Sequence, residues 1–191
     1  KDLYREDGLC VMARGCGIEQ LFSKFVQYYS YGIPEQPLSQ EDQKKLVFVI
    51  NLNGQEHLIL DHLLGEGIPP HRLPKIITSE IISNATERAE LFAQGGCFII
   101  TSRLLITDLL EKKVNAENVL GILVANAHKV SELSVEAFIL RVYRQGNKNT
   151  HVFVHDIIAR GTIDLSVCRA LTAKDADQEL LMASIANHRK E

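Results

Sequence analysis

A stretch near the start of the chain has the layout of a phosphate-binding loop. The apolar run at residues 8–13 leads into Arg14-Gly15-Cys16-Gly17, and a helical pattern begins after it. Backbone N–H groups at such a junction favour an anion. A working G-x-x-x-x-G-K-[ST] loop also needs a lysine and a hydroxyl, and both are missing here, while Glu19 would repel phosphate. The pattern therefore favours an ordinary strand–helix turn or a degenerate nucleotide loop over a working ATP site.

A second segment that would carry catalytic residues in an ATPase follows the apolar run at residues 119–124. Helicase-type ATPases carry Asp-Glu-x-His at this point, where the acids hold Mg²⁺ and orient the attacking water. This chain has Ala125-Asn126-Ala127-His128, so only the histidine is kept. Without these carboxylates, the electrostatic stabilisation of phosphoryl transfer is lost. We therefore predict no catalytic residue and no metal ligand, and a degenerate nucleotide pocket formed by Gly15, Gly17, Asn126 and His128.

The composition is that of a soluble globular protein from inside the cell. Of the 191 residues, 46% are hydrophobic and 24% are charged, and the formal net charge is −3. No apolar run is long enough to cross a bilayer, and an acidic balance does not indicate a nucleic-acid binder. The 4 cysteines are widely spaced, which predicts reduced thiols and no zinc site. The start, Lys1-Asp2-Leu3, lacks an initiator methionine and a signal peptide, which indicates an excised segment.

Short apolar strands alternate with longer helical stretches along most of the chain. This alternation predicts the α/β class, with a parallel sheet covered by helices on both faces. Asp108 and Glu111 are predicted to face water, and residues 32–45 to form an exposed loop. The clearest strands are predicted at residues 8–13, 46–50, 75–77, 97–100 and 119–124, and the helices from residue 18, over 56–64, from 83, over 101–110 and over 130–143.

The pattern changes near Asn149, where the chain turns polar. Residues 151–158 are predicted to form a strand, and residues 164–188 are almost unbroken helix. We therefore predict a lobe over residues 1–148, followed by a terminal strand with helices over residues 149–191. That terminal segment is either foreign to the lobe or a divergent cap on the same sheet.

Hydroxyl and cationic side chains mark a candidate DNA surface. Ligands of parallel sheets gather at the carboxyl ends of the strands, and hydroxyls there suit contacts with backbone phosphates. Arginines and lysines supply the positive charge, although each alone is as typical of an ordinary solvated surface. The predicted DNA-binding set is Arg14, Thr78, Ser79, Thr101, Ser102, Arg103, Arg141, Arg144 and Lys148.

Several strings of the sequence, taken in order, resemble the helicase-like N-terminal region of the XPF family of structure-specific DNA repair endonucleases. The resemblance covers about residues 4–148. It is carried by DGLCVMARG at 7–15, TSEI at 78–81 with SN at 83–84, QGGCFIITSRLL at 94–105, GILV at 121–124 with AH at 127–128, and EAFILR at 136–141.

The resemblance implies a RecA-like lobe of superfamily 2 helicase type that has lost ATP hydrolysis. It implies a nuclear protein that engages branched or forked DNA and a repair scaffold protein, in nucleotide excision repair and crosslink repair. In this family a separate nuclease domain cuts DNA through a Glu-Arg-Lys-x-x-x-Asp motif that binds Mg²⁺. Here Glu87-Arg88-Ala89 lacks the lysine, so no cofactor and no activity are expected of this segment alone. In this family a smaller ERCC-type subunit binds a further region, whose sequence is not found in this segment.

The tail is similar to a different group of proteins. HVFVHDIIARGTID at residues 151–164 resembles the end of a Swi/Snf-type helicase lobe, in which a strand leads into Gly-Thr-Ile-Asp. RVYRQG at residues 141–146 is not the arginine-finger segment that should precede it. Two alternatives to the DNA-binding lobe therefore stay open. One is a fragment of a Swi/Snf-type DNA-dependent ATPase, and the other is a lobe that docks only protein, which the negative net charge favours.

Overall fold

The computed structural model describes residues 8–10, 17–33, 36–37, 44–147 and 153–155. Strands and helices alternate along these residues, as the sequence predicts. In chain order the elements are β1 (Gly8–Cys10), α1 (Ile18–Tyr31), β2 (Gly32–Ile33), β3 (Gln36–Pro37), β4 (Leu46–Ile50), α2 (Glu56–Gly65), β5 (Lys75–Ile77), α3 (Ala85–Ala93), β6 (Gly96–Ile100), α4 (Ser102–Leu110), β7 (Val119–Val124), α5 (Val135–Gly146) and β8 (Phe153–His155).

A parallel sheet organises the described part of the chain. Its strand order is β1-β8-β7-β4-β6-β5, and every neighbouring pair is parallel. The central strand β4 is buried along its whole length, which explains its uninterrupted apolar sequence LVFVI. The predicted α/β fold with a parallel sheet is therefore confirmed.

Helices cover both faces of the sheet, and alternate residues of β4, β6 and β7 point into two separate cores. Phe48 and Phe98 face a core shared with α3, α4 and α5. Val47 and Ile99 face the other core, which they share with α1 and α2. Because side chains alternate along a strand, one five-residue apolar strand supplies both layers.

Three local predictions differ from the structure. The helix predicted from residue 130 begins at Val135, because Ser134 caps it by accepting the Ala137 N–H at 3.2 Å. The predicted loop over residues 32–45 contains a short antiparallel ribbon of β2 and β3. Asp108, predicted to face water, is fully buried against Arg88.

The strand predicted at residues 151–158 is described over Phe153–His155 and lies inside the sheet, between β1 and β7. Residues 156–191, and with them the helical prediction and the GTID string, lie outside the described residues. The division of the chain at residue 148 remains a prediction. Within the described ranges, no helix combines the length and the apolar character that spanning a bilayer requires.

Candidate nucleic-acid interface at the carboxyl edge of the sheet

The carboxyl ends of β4, β5 and β6 surround a cavity of about 170 Å³. Three of the predicted DNA-binding residues, Thr78, Thr101 and Ser102, line it together with Asn51 and Glu136. Ser79 and Arg103 follow Thr78 and Ser102 directly in the chain, and both are exposed beside the cavity. The structure therefore brings together the predicted residues that follow β5 and β6. We call Thr78, Ser79, Thr101, Ser102 and Arg103, together with the cavity beside them, the open half of the carboxyl edge.

Two asparagines close the neighbouring part of this edge, which lies after β4 and β7. The Asn51 side-chain amide donates to the carbonyls of Ala125 at 2.8 Å and Asn126 at 3.2 Å. The Asn126 side-chain amide returns a hydrogen bond to the Asn51 carbonyl at 2.9 Å. Both residues have positive φ, 64° for Asn51 and 49° for Asn126, a backbone region that asparagine tolerates better than most residues. We call this pair the latched half.

Helix α4 begins in the open half with an exposed N-terminus. Among the described side chains, none caps it by a hydrogen bond, and Thr101 occupies the N-cap position. Its first turn also holds no acidic residue, whereas Glu87 and Glu136 stand in the first turns of α3 and α5. Backbone N–H groups at such an end, with Arg103 beside them, suit a phosphate.

A buried ion pair holds the loop that forms one wall of the open half. Arg88 donates from Nε and Nη2 to both carboxylate oxygens of Asp108 at 2.7 Å, and the two residues are 3% and 0% exposed. Arg88 Nη1 also donates to the carbonyls of Ser83 at 2.8 Å and Ile82 at 3.3 Å. The hydrogen bonds that Arg88 donates to Asp108 raise the pKa of its guanidinium. We call this pair the clamp, since it ties the loop after β5 to α3 and α4.

Sequence reasoning missed the clamp, although a signal was present. Asp108 lies three residues after Leu105 and one before Leu109, and both leucines are buried. Arg88 lies four residues before the buried Phe92 on the preceding helix. Opposite charges on the apolar stripes of two neighbouring helices indicate a buried pair rather than two solvated side chains.

Arg144 lies near the end of α5 that is far from the open half. Glu136, in the first turn of α5, lines the cavity, whereas Tyr143 and Asn147 at its other end donate to the carbonyl of Val119 at 3.2 Å each. Val119 begins β7, so α5 runs from the carboxyl edge to the amino edge of the sheet. Arg144 is eight residues beyond Glu136, about 12 Å further along the helix axis.

Arg141 and Arg144 also differ from each other. Arg141 is exposed and donates to the Glu132 carbonyl at 2.9 Å. Arg144 is half-buried, and burial lowers the pKa of its guanidinium. The third member of the predicted cluster, Lys148, lies outside the described residues, as do Arg14 and Gly15. The structure therefore divides the described candidates between the carboxyl edge and the flank of α5.

Two of the four residues predicted for a degenerate nucleotide pocket, Gly17 and Asn126, can be placed among the described residues. Asn126 is 9% exposed within the latched half. Gly17 forms the N-cap of α1 with φ 71°, and it lines a groove between α1 and α2 together with Lys24 and Glu66. The side chain of His128 is outside the described residues. Within the described ranges, no three histidine, cysteine or acidic residues cluster in a way that could hold a metal ion.

The charge around the open half is mixed, with an acidic balance. Glu56 and Glu136 line the cavity, and Glu80 is exposed in the loop after β5. Arg103 is the cation of this group. Carboxylates inside the cavity disfavour a phosphate there, so phosphate contacts belong on the rim, at the N-terminus of α4.

The geometry described so far is that of a helicase-like α/β lobe, and comparison with solved structures agrees. The chain resembles the Hef helicase domain of Pyrococcus furiosus with a TM-score of 0.62 and 19% identity, over 89% of this chain and 33% of that one. At this identity the likeness shows the fold, which is RecA-like. A scan against protein-family models found no match.

Curated relatives agree on the family. The chain is 36% identical over 148 residues to the DNA repair endonuclease XPF of Cricetulus griseus, covering 77% of this chain and 15% of that protein. It is 30% identical over 148 residues to the DNA repair protein rad16 of Schizosaccharomyces pombe, again covering 77% and 15%. The chain thus spans about 15% of the length of these relatives. It carries the helicase-like region of the XPF family, as the sequence strings predicted.

Proposed function

We propose that this chain is a non-catalytic, helicase-like lobe of an XPF-type structure-specific endonuclease, and that it binds DNA and a partner protein in DNA repair. The observation that carries the proposal is the likeness, over 77% of the chain, to proteins named as DNA repair endonucleases. The helicase-like fold supports a role in engaging DNA. Nucleotide excision repair, crosslink repair and a nuclear location belong to the same proposal.

The latched half supports the absence of ATP hydrolysis. Asn126 stands where an ATPase of this type would carry a carboxylate, and its amide is engaged with the Asn51 carbonyl at 2.9 Å. The clamp likewise supports the absence of nuclease chemistry, because Arg88 of the incomplete Glu87-Arg88-Ala89 motif is buried in an ion pair. We propose that the segment itself needs no cofactor.

The open half is our proposed DNA surface. The N-terminus of α4, the hydroxyls of Thr78, Thr101 and Ser102, and the Arg103 guanidinium converge there. These groups can hold the sugar–phosphate backbone of a branched DNA. We propose Arg141 and Arg144, on the flank of α5, as a second and weaker contact. A smaller subunit of ERCC type would bind a further region of the longer protein.

The experiment that tests the proposal is an anisotropy titration of a labelled forked DNA and the matching duplex, at two salt concentrations. Each phosphate contact contributes about one unit to the slope of log affinity against log salt. We expect tighter fork binding, a slope of a few units and no ATP hydrolysis. Absence of binding even at low salt would reject the DNA-binding role, and hydrolysis abolished by chelating Mg²⁺ would reject the non-catalytic one.

A lobe that docks only protein is the second candidate. The acidic balance of the open half favours it, since Glu56, Glu80 and Glu136 outnumber Arg103 there. This candidate predicts that the chain binds a basic peptide but no DNA. The same titration, repeated with a labelled oligoarginine peptide, separates the two functions.

A further inference from the structure

We infer that the cavity of the open half receives an unpaired nucleobase that carries an exocyclic amino group. The inference rests on the proposed function and names the part of the DNA that this site reads. The cavity volume of about 170 Å³ is well below the range of typical small-molecule pockets. It therefore suits one small ring system, and a whole nucleotide with its triphosphate would not fit.

The floor of the cavity is apolar. It is formed by Val49, Ile76, Ile77, Ile99 and Ile100 of the three strands and by Leu52, which follows β4. Ile76 is partly exposed, whereas the other five residues are buried. The face of a nucleobase is also apolar, and its burial against the partly exposed Ile76 side chain is favourable whichever base is present. A phosphate or a sugar would gain nothing from this floor.

Two of the polar residues that line the cavity, Glu56 and Glu136, favour a ligand that carries hydrogen-bond donors. Glu56 Oε1 also accepts the Gly54 N–H at 3.2 Å, and the Asn51 and Asn53 side-chain amides donate to groups of the chain itself. Glu56 and Glu136 contribute carboxylates, which only accept hydrogen bonds when ionised. A carboxylate accepts well from the amino group of cytosine, and adenine and guanine carry amino groups as well. Both carboxylates repel phosphate, so the pocket admits the base and rejects the backbone.

The rim supplies the complementary contact for the backbone. Thr101 and Ser102 belong to both the cavity lining and the exposed N-terminus of α4, and Arg103 is exposed beside them. A base in the cavity would place its own phosphate close to these donors. A paired and stacked base cannot enter, so the arrangement would favour a single-stranded arm over a duplex.

Hydrogen bonds within the chain fix the wall formed by the loop after β5. The Thr78 hydroxyl accepts from the Ile81 N–H at 3.3 Å, and the Thr78 carbonyl accepts from the Ile82 N–H at 3.0 Å. Arg88 of the clamp donates hydrogen bonds to the carbonyls of Ile82 and Ser83 in the same loop. The cavity is therefore preorganised, which reduces the entropic cost of binding.

The test compares the 191-residue chain on forks that differ only in the single-stranded arm. One arm is oligo-dC, one is oligo-dT, and one is an abasic backbone of equal length. The expected order is dC, then dT, then abasic, with the abasic arm bound roughly tenfold more weakly than dC. Equal affinity for dC and abasic forks would overturn the inference while leaving the proposed function intact. Binding to none of the forks would reject the proposed function, and the inference with it.

Variants then locate the effect. Glu136→Gln should remove most of the preference for dC over dT, since an amide is a poorer acceptor for the amino group. Glu117→Gln is the matched control, because it removes the same charge from an exposed residue just before β7, at the amino edge. If both variants only raise the affinity for all forks equally, the carboxylates act by general repulsion and the inference is wrong.

A basic protein segment is the competing occupant. If Glu136→Gln and Glu56→Gln abolish binding of an oligoarginine peptide but leave the three fork affinities unchanged, the cavity serves a protein and the nucleobase inference is overturned. Loss of the dC preference with unchanged peptide binding supports it.

Discussion

The two halves of the carboxyl edge use similar polar residues in opposite ways. In the latched half, Asn126 is 9% exposed, and its side-chain amide donates to the Asn51 carbonyl at 2.9 Å. In the open half, Thr101 is exposed. It is the N-cap residue of α4, but its side chain makes no capping hydrogen bond to that helix among the described residues. A polar side chain at a strand end is thus available to a ligand only where the residues that follow the neighbouring strand do not already occupy its hydrogen-bonding groups. The hydrogen bonds of the latched half link the loops after β4 and β7, whereas the open half is the surface that we propose for binding.

The largest expected effect on stability comes from breaking the clamp, the ion pair between Arg88 and Asp108. Asp108→Ala leaves the buried Arg88 guanidinium without its carboxylate, which costs about 3–5 kcal/mol in the free energy of unfolding. Urea denaturation measures this change. Because Arg88 also holds the Ile82 and Ser83 carbonyls, DNA binding should weaken in conditions where the variant is still folded.

The control for the clamp is Glu87→Ala, which removes an exposed charge from the adjacent position on α3. Exposed substitutions of this kind change stability by about 0.5 kcal/mol or less. A loss below about 1 kcal/mol for Asp108→Ala would contradict the role given to the clamp.

The second prediction concerns the latched half. Asn126→Asp restores a carboxylate where helicase-type ATPases carry one, but it replaces the amide that donates to the Asn51 carbonyl. We expect a loss of about 1–3 kcal/mol of stability, because two oxygens then face each other in a buried site. A sensitive phosphate-release assay should detect no ATP hydrolysis. A variant that gains Mg²⁺-dependent hydrolysis would show that the latched half is a nucleotide site.

The third prediction compares the open half with the flank of α5. Arg103→Ala should weaken fork binding several-fold and reduce the salt slope by about one unit, since one phosphate contact is lost. Arg141→Ala is the comparison variant. Because Arg141 belongs to the proposed weaker contact and donates to the Glu132 carbonyl, its loss should have the smaller effect. A larger effect for Arg141 than for Arg103 would move the principal DNA surface to α5.

The smallest effect on stability is expected at the N-terminus of α4, because the side chain of its N-cap residue, Thr101, makes no capping hydrogen bond in the described part of the chain. Thr101→Ala should change the free energy of unfolding by about 0.5 kcal/mol or less. Asn84→Ala should cost about 1 kcal/mol, because Asn84 accepts the Thr86 N–H at 2.9 Å and caps α3. Thermal unfolding of the two variants compares them directly. Equal losses would mean that Thr101 has a structural role after all.

Much of the fold could be predicted from the sequence, because apolar runs of four to six residues alternate with helical spacing. The strand at β7 was predicted with its observed bounds, Val119–Val124. The start of α5 was missed by five residues, since Val130 fits the apolar pattern but Ser134 supplies the cap. Helix ends depend on local hydrogen bonds that periodicity does not report.

The candidate site was predicted only in part. The order of strand ends placed Thr78 and Thr101 at one edge, because the strands of a parallel sheet point the same way. It did not show that Arg144 lies toward the amino edge, since that depends on the direction in which α5 packs. The burial of Asp108 was also missed, because the charge of one residue does not reveal a partner twenty positions away.

By itself, the sequence determined the parallel α/β lobe, its likeness to the XPF family and the missing phosphate-binding side chains. Those features depend on residue types and on spacing along the chain, which are local properties. Only the tertiary structure decided that Asn51 and Asn126 bond to each other, that Arg88 meets Asp108, and that a cavity remains between β4, β5 and β6. Each of these depends on which groups meet across the sheet and on whether their hydrogen bonds are already satisfied.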